Sequence, residues 1–111
     1  MRKRGRVDAN QTKVVDHLRR AGLSVAVTSG VGNGFPDLVV AGFVSLRIGA
    51  MAFSINTIHD KVKTLLVELK DPDQPPSKRM LTPAEIKFRE TWKGEYIKAT
   101  TAEEILNHFN K

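Results

Sequence analysis

The chain has 111 residues, 41% of them hydrophobic, with eighteen Lys and Arg against twelve Asp and Glu, a formal charge of +6 and no cysteine. That is the size of one domain around one apolar core, and the missing thiols exclude disulfide frameworks, cysteine nucleophiles and cysteine-zinc sites. The positive balance suits a polyanionic partner, nucleic acid above all, while no apolar run approaches the roughly 20 residues of a bilayer span. The basic opening MRKRGR is followed by no apolar signal segment, so a cytoplasmic protein is expected, or one at work inside an infected host cell if it is viral.

Arg2, Lys3, Arg4 and Arg6 predict a basic arm over residues 1–7, ahead of a single domain over residues 8–111. A helix is predicted from Ala9 to Ala21. Asp8 and Gln11 have capping-box spacing, Val14, Val15, Leu18 and Ala21 share a face, and Gly22 is a natural stop. Leu23, Val25 and Val27 alternate with Ser24, Ala26 and Thr28, which predicts a half-buried strand. The loop SGVGNGFP from Ser29 to Pro36 departs from the dinucleotide GxGxxG pattern at Phe35, and no Gly-Lys-Ser/Thr follows. It reads as a tight turn that lets a substrate backbone come close, with no nucleotide cofactor.

Asp37 to Ala41, DLVVA, predicts a buried strand. From Phe43 to Lys63 the pattern breaks down: Val44, Leu46 and Ile48 alternate, but Met51, Phe53, Ile55 and Ile58 fit no single period. Thr64 to Lys70, TLLVELK, is a stronger strand, and a polar, proline-rich loop follows to Arg79. Thr82 and Glu85 form a capping box for a helix starting near Pro83. Phe88 and Trp92 share a face of that helix, and Trp92 reads as core ahead of a base-stacking platform. Glu95 to Ala99 predicts a last strand, and Thr101 with Glu104 caps a final helix carrying Ile105, Leu106 and Phe109. The order α-β-β-β-α-β-α defines an α/β fold with a mixed central sheet flanked by helices.

Charged residues inside apolar strands call for a reason, because an unpaired buried charge costs several kcal/mol. In TLLVELK the two-residue period turns Leu66, Glu68 and Lys70 to one face, and Asp37 opens the other buried strand. If the two strands are neighbours, Asp37 and Glu68 converge. Two carboxylates held together call for a cation, and oxygen ligands without His or Cys suit Mg²⁺, with Mn²⁺ able to substitute. Lys70 beside them could orient water or stabilise charge on phosphorus. The other reading of Glu68 and Lys70 is a salt bridge at a sheet edge. Lys78, Arg79 and the arm cations are candidates for phosphate contacts, or else solvated charges. His17, His59 and His108 show no ligand spacing.

Pro36-Asp37, followed after thirty residues by Glu68-Leu69-Lys70, resembles the PD-(D/E)XK nuclease signature. The run LRRAGLSVAVTSGVGNGFPDLVV is similar to archaeal-type Holliday junction resolvases. VELKD, the loop after it and LTPAEIKF are similar to stand-alone virus-type replication-repair (VRR-NUC) nucleases. The resemblance runs from about Asp8 to the C-terminus and leaves Phe43 to Lys63 unmatched. It implies a restriction-endonuclease-like fold and a Mg²⁺-dependent DNA endonuclease. Asp37, Glu68 and the Leu69 carbonyl would be metal ligands, and Lys70 the catalytic lysine. Branched DNA such as a four-way junction would be the substrate. Flaps, nicked or single-stranded DNA, or binding without catalysis, are the alternatives. A symmetric junction implies a homodimer, with Met51, Phe53, Ile55 and Ile58 as interface material. Ser29 matches a loop serine near the resolvase site, or is a turn residue. The family's acid on the first helix falls here on Gln11, with Asp8 one turn earlier as substitute acid or plain cap. Glu85 stands where relatives tend to have glutamine, and either adds an acid or caps its helix.

Overall fold

The structure, a computed structural model, describes residues 9–44 and 61–109. Along them run α1 (Ala9–Arg20), β1 (Ser24–Val27), β2 (Leu38–Phe43), β3 (Val62–Leu69), α2 (Pro83–Thr91), β4 (Tyr96–Ala99) and α3 (Ala102–Leu106), with a 3-10 turn at Pro76–Arg79 ahead of α2. This is the expected order. Arg2, Lys3, Arg4, Arg6 and Asp8 lie outside the described residues, as do Leu46, Ile48, Met51, Phe53, Ile55 and Ile58.

The helix ends obey local chemistry. Thr82 Oγ1 accepts the Glu85 amide at 3.2 Å while Glu85 Oε1 accepts the Thr82 amide at 2.8 Å. Thr101 and Glu104 make the same exchange at the start of α3. Each box satisfies two amides that have no partner within the helix. Gly22, at φ +98°, ends α1 in the left-handed region that glycine tolerates.

The strands form one mixed sheet in the order β1-β2-β3-β4. β1 with β2 and β2 with β3 run antiparallel, whereas β3 and β4 run parallel. A parallel neighbour cannot be reached by a hairpin, and the proline-rich loop with α2 supplies the crossover. The β2–β3 ladder extends from Leu38 opposite Val67 to Phe43 opposite Val62, and the Val44 amide reaches the Lys61 carbonyl at 3.1 Å. Both strands therefore run into the stretch left unassigned by sequence. Backbone pairing carries them there without an apolar alternation.

Side chains alternate across the pleat, so the register sorts the sheet into two faces. Val25, Leu38, Val40, Leu65, Val67, Leu69, Ile97 and Ala99 share one face. They close on Val14, Val15 and Leu18 of α1 and on Ala102, Ile105 and Phe109 at the C-terminal end to make the core. Val39, Leu66, Glu68, Tyr96 and Lys98 share the other face, where the Phe88 ring of α2 stands 6.1 Å from Tyr96. Helices α1 and α3 pack on the apolar face, and α2 meets the other through Phe88. Two expectations are corrected. β1 is an edge strand that α1 covers only partly, so Val27 stays 46% exposed. Trp92 is no core residue: it caps the C-terminus of α2 and is 43% exposed. Among the described residues no helix is long and apolar enough to cross a membrane.

Candidate active site

Asp37 sits one residue before β2, and extending the β2–β3 register by one places it opposite Glu68. The approach is fixed by backbone bonds: the Thr28 amide donates to the Asp37 carbonyl at 2.7 Å, and Thr28 Oγ1 donates to the Pro36 carbonyl at 2.8 Å. Gly32, Asn33 and Gly34 all have positive φ in the loop before it. The loop was expected to let a substrate backbone come close. At Gly34 the neighbour is the protein itself, since a Cβ there would run into the Ala84 carbonyl oxygen. The loop is wedged against the first turn of α2, and that turn carries Glu85.

Asp37 Oδ2 accepts the Leu69 amide at 2.9 Å. Along β3 the amides of Leu66 and Lys70 bond to β4, at 3.1 and 2.9 Å, so Leu69 turns its backbone towards β2 and Asp37. Glu68 is 3% exposed. Its Oε2 lies 3.4 Å from Lys70 Nζ, while Oε1 is buried with no hydrogen-bond partner. Lys70 Nζ makes its closer contact, 2.9 Å, with Glu85 Oε1, the oxygen that also accepts the Thr82 amide. Glu85 is therefore both cap and site acid. Three carboxyls face a single ammonium. An edge salt bridge does not describe this: β3 lies between β2 and β4, and the acids outnumber the cation.

The electrostatics follow from that imbalance. Burial, then the charges of Asp37 and Glu85, push Glu68 up to about 9 from its ordinary 4.5. Asp37 is also raised, by burial that outweighs the Leu69 amide and Lys70. Burial would raise Glu85 too, but the Thr82 amide and Lys70 bring it below its ordinary value. Burial would lower Lys70, and its bond to Glu85 with the charge of Glu68 more than reverses this. Lys70 is thus a fixed cation rather than a proton acceptor near neutral pH.

A buried Glu68 that holds its proton among other carboxyls is what a divalent cation would relieve. Asp37, Glu68 and the adjoining Leu69 backbone make an oxygen-only set that fits Mg²⁺ or Mn²⁺. Among the described residues no three acidic or imidazole groups form a ready cage. The third acid, Glu85, is held instead by Lys70 and the Thr82 amide.

The other expected residues spread around this centre. Gln11 is buried, and its Nε2 donates to Ser29 Oγ at 3.4 Å, so the two accessory candidates meet each other. Lys78 is exposed on the 3-10 turn, and Arg79 is half-buried. Sequence reasoning missed three residues. Lys98 lies opposite Glu68 on β4 and donates to the Arg79 carbonyl at 3.2 Å, tying the basic turn to the site's face. The Tyr96 hydroxyl is buried without a partner, and burial with the charges of Glu68 and Glu85 pushes it up to about 12. Asn10 Nδ2 reaches the Lys70 carbonyl at 3.5 Å. Only strand register or tertiary approach reveals these; no local spacing does.

Compared with known proteins, the chain matches no family model, no curated protein and no solved structure.

Proposed function

We propose that this chain is a metal-dependent endonuclease with a restriction-endonuclease-like fold, hydrolysing phosphodiester bonds in branched DNA such as a four-way junction. The observation that carries the reading is the meeting of Asp37, Glu68 and Lys70 on one face, with Glu68 Oε1 buried and unpartnered. Charge balance supports it: Glu68, which holds a proton for want of a cation, sits beside a lysine that holds its own.

Asp37, Glu68 and the Leu69 carbonyl would hold Mg²⁺, or Mn²⁺ in its place, which supplies Lewis acidity towards the phosphate and a lowered pKa for bound water. Lys70 contributes a permanent positive charge where negative charge gathers on phosphorus, and Glu85 fixes its direction. Gln11 and Ser29 brace the loop behind Asp37. Lys78, Arg79 and Lys98, with the arm cations Arg2, Lys3, Arg4 and Arg6, would meet phosphates and position the DNA without reading its sequence. The preference for branched DNA and a homodimeric assembly follow from the family resemblance. In a junction the two symmetric cuts call for two sites related by a two-fold axis.

The decisive assay is cleavage of a synthetic four-way junction with Mg²⁺, repeated in EDTA and with Glu68→Ala. Cleavage that needs both the metal and Glu68 is the expected result. Binding without cleavage of the junction or of flap, nicked and single-stranded DNA would leave only a DNA-binding module. Light scattering at micromolar concentration should give twice the chain mass, and a strict monomer would remove the dimer.

A further inference from the structure

We propose that Trp92 is a stacking platform for an unpaired nucleobase, so that the site takes DNA with unpaired nucleotides beside the cut. The inference takes its ligand class from the nuclease reading above and narrows it.

Trp92 is the chain's one tryptophan, and it is held rather than loose. Its ring lies nearly parallel to Phe88, 17° between planes and 5.5 Å between centroids. Phe88 is braced in turn by an edge-on contact with Phe35 at 5.3 Å. The indole Nε1 edge rests on Gly94, where a Cβ would come within 2.8 Å. One face and one edge are thus covered. Trp92 nevertheless stays 43% exposed. An aromatic surface fixed in this way loses little entropy when a flat ring settles on it.

Its place in the molecule selects that ring. Phe35 stands two residues before Asp37, and Phe88 three after Glu85. The aromatic row therefore begins at the carboxylates and ends at Trp92. Arg89 and Lys93 flank Trp92 in the chain, and Lys98 lies opposite Glu68. Between residues 87 and 98 the cations Lys87, Arg89, Lys93 and Lys98 stand against the acids Glu90 and Glu95, the latter engaged by Lys63. A rigid aromatic face among cations is the combination that binds single strands, cations to phosphates and rings to bases. In a duplex, neighbouring bases already cover both faces of each base. Only an unpaired base, in a flap, a fork or an opened branch point, can offer one to the indole.

Tryptophan fluorescence reports the platform directly. The full chain in EDTA, where no cleavage occurs, is titrated with a thymidylate oligonucleotide and separately with blunt duplex, and anisotropy of labelled DNA gives the affinities. The expected result is quenching by the oligonucleotide and none by the duplex. Trp92→Ala should weaken oligonucleotide binding about tenfold and Trp92→Phe much less, with duplex affinity changed by less than about twofold. Gly94→Ala, which displaces the indole edge, should weaken the same binding while circular dichroism stays unchanged. The proposal is overturned by unchanged fluorescence at saturation, by no oligonucleotide binding, by equal affinity of the Ala and Phe variants, or by self-association through Trp92 instead. Junction cleavage with Mg²⁺ is scored separately. Quenching with no cleavage of junction, flap or single strand refutes the hydrolase and keeps the platform; cleavage without quenching does the reverse.

Discussion

The two faces of β3 are made by alternate residues of one strand, yet they are built on opposite principles. Leu65, Val67 and Leu69 point into a sealed apolar core whose members are at most 9% exposed. Leu66, Glu68 and, just past the strand end, Lys70 point to the other face, where three carboxyls crowd one ammonium. Burial stabilises the first set and frustrates the second. A carboxylate kept dry and under-neutralised works against folding, and such a group persists where something outside the chain completes it. Stability and chemistry are thus separated by a single step along the backbone.

That separation can be broken by paired substitutions. Lys70→Ala should lower junction cleavage by about a hundredfold to a thousandfold, the usual cost of losing one charge-stabilising group, in a protein that still folds but is less stable because Glu68 and Glu85 lose their cation. Leu65→Ala should do the opposite. It removes a side chain with no exposure, costs about 2–5 kcal/mol and lowers the melting temperature, while molecules still folded keep their cleavage rate. Denaturant unfolding beside single-turnover cleavage reads both. If folded Leu65→Ala cleaved slowly, or Lys70→Ala kept its rate, the two faces would not be separable.

Gly34 joins the faces to the loop, and its substitution should have an intermediate effect. Gly34→Ala places a side chain at φ +80° and against the Ala84 carbonyl. The expected cost is about 2 kcal/mol of stability. Because the first turn of α2 must move, Glu85 should lose its hold on Lys70, and cleavage should fall about tenfold. A full rate in the folded fraction would show that Glu85 serves only as a cap.

Much of this was legible in the sequence, and what escaped has one physical character. Thr82 with Glu85 and Thr101 with Glu104 announce their helices because capping is settled within four residues. Glu68 and Lys70 share a face because the strand period is local. Whether Asp37 meets them depends on which strands pair, and the spacing left that open. The double duty of Glu85, the placement of Lys98 opposite Glu68, the packing of Gly34 on α2 and the exposure of Trp92 all arise where distant segments touch. Trp92 shows the error most plainly. Its spacing from Phe88 places both on one face, but spacing does not say where cover ends. At the C-terminal cap of α2 cover is incomplete, and Trp92 stays partly exposed.

The smallest expected effect tests the frustrated face without any DNA. In the metal-free folded protein Glu68 keeps a proton that the unfolded chain releases above about pH 4.5. The folded state therefore binds more protons between that pH and about 9, and stability must fall as pH rises through this window. Glu68→Gln has no proton to lose, so it should be more stable than the parent near pH 8, by on the order of 1 kcal/mol because the proton is shared among coupled acids. Mg²⁺ should act with the opposite slope. It displaces the proton, so its stabilisation of the parent should grow from pH 6 to pH 8 and be largely lost in the Gln variant. Thermal unfolding of both proteins at the two pH values, with and without Mg²⁺, measures all of these together. If parent and variant were equally stable at pH 8 and Mg²⁺ moved neither, Glu68 would be an ordinary solvated carboxylate and the cation would have no place on this face.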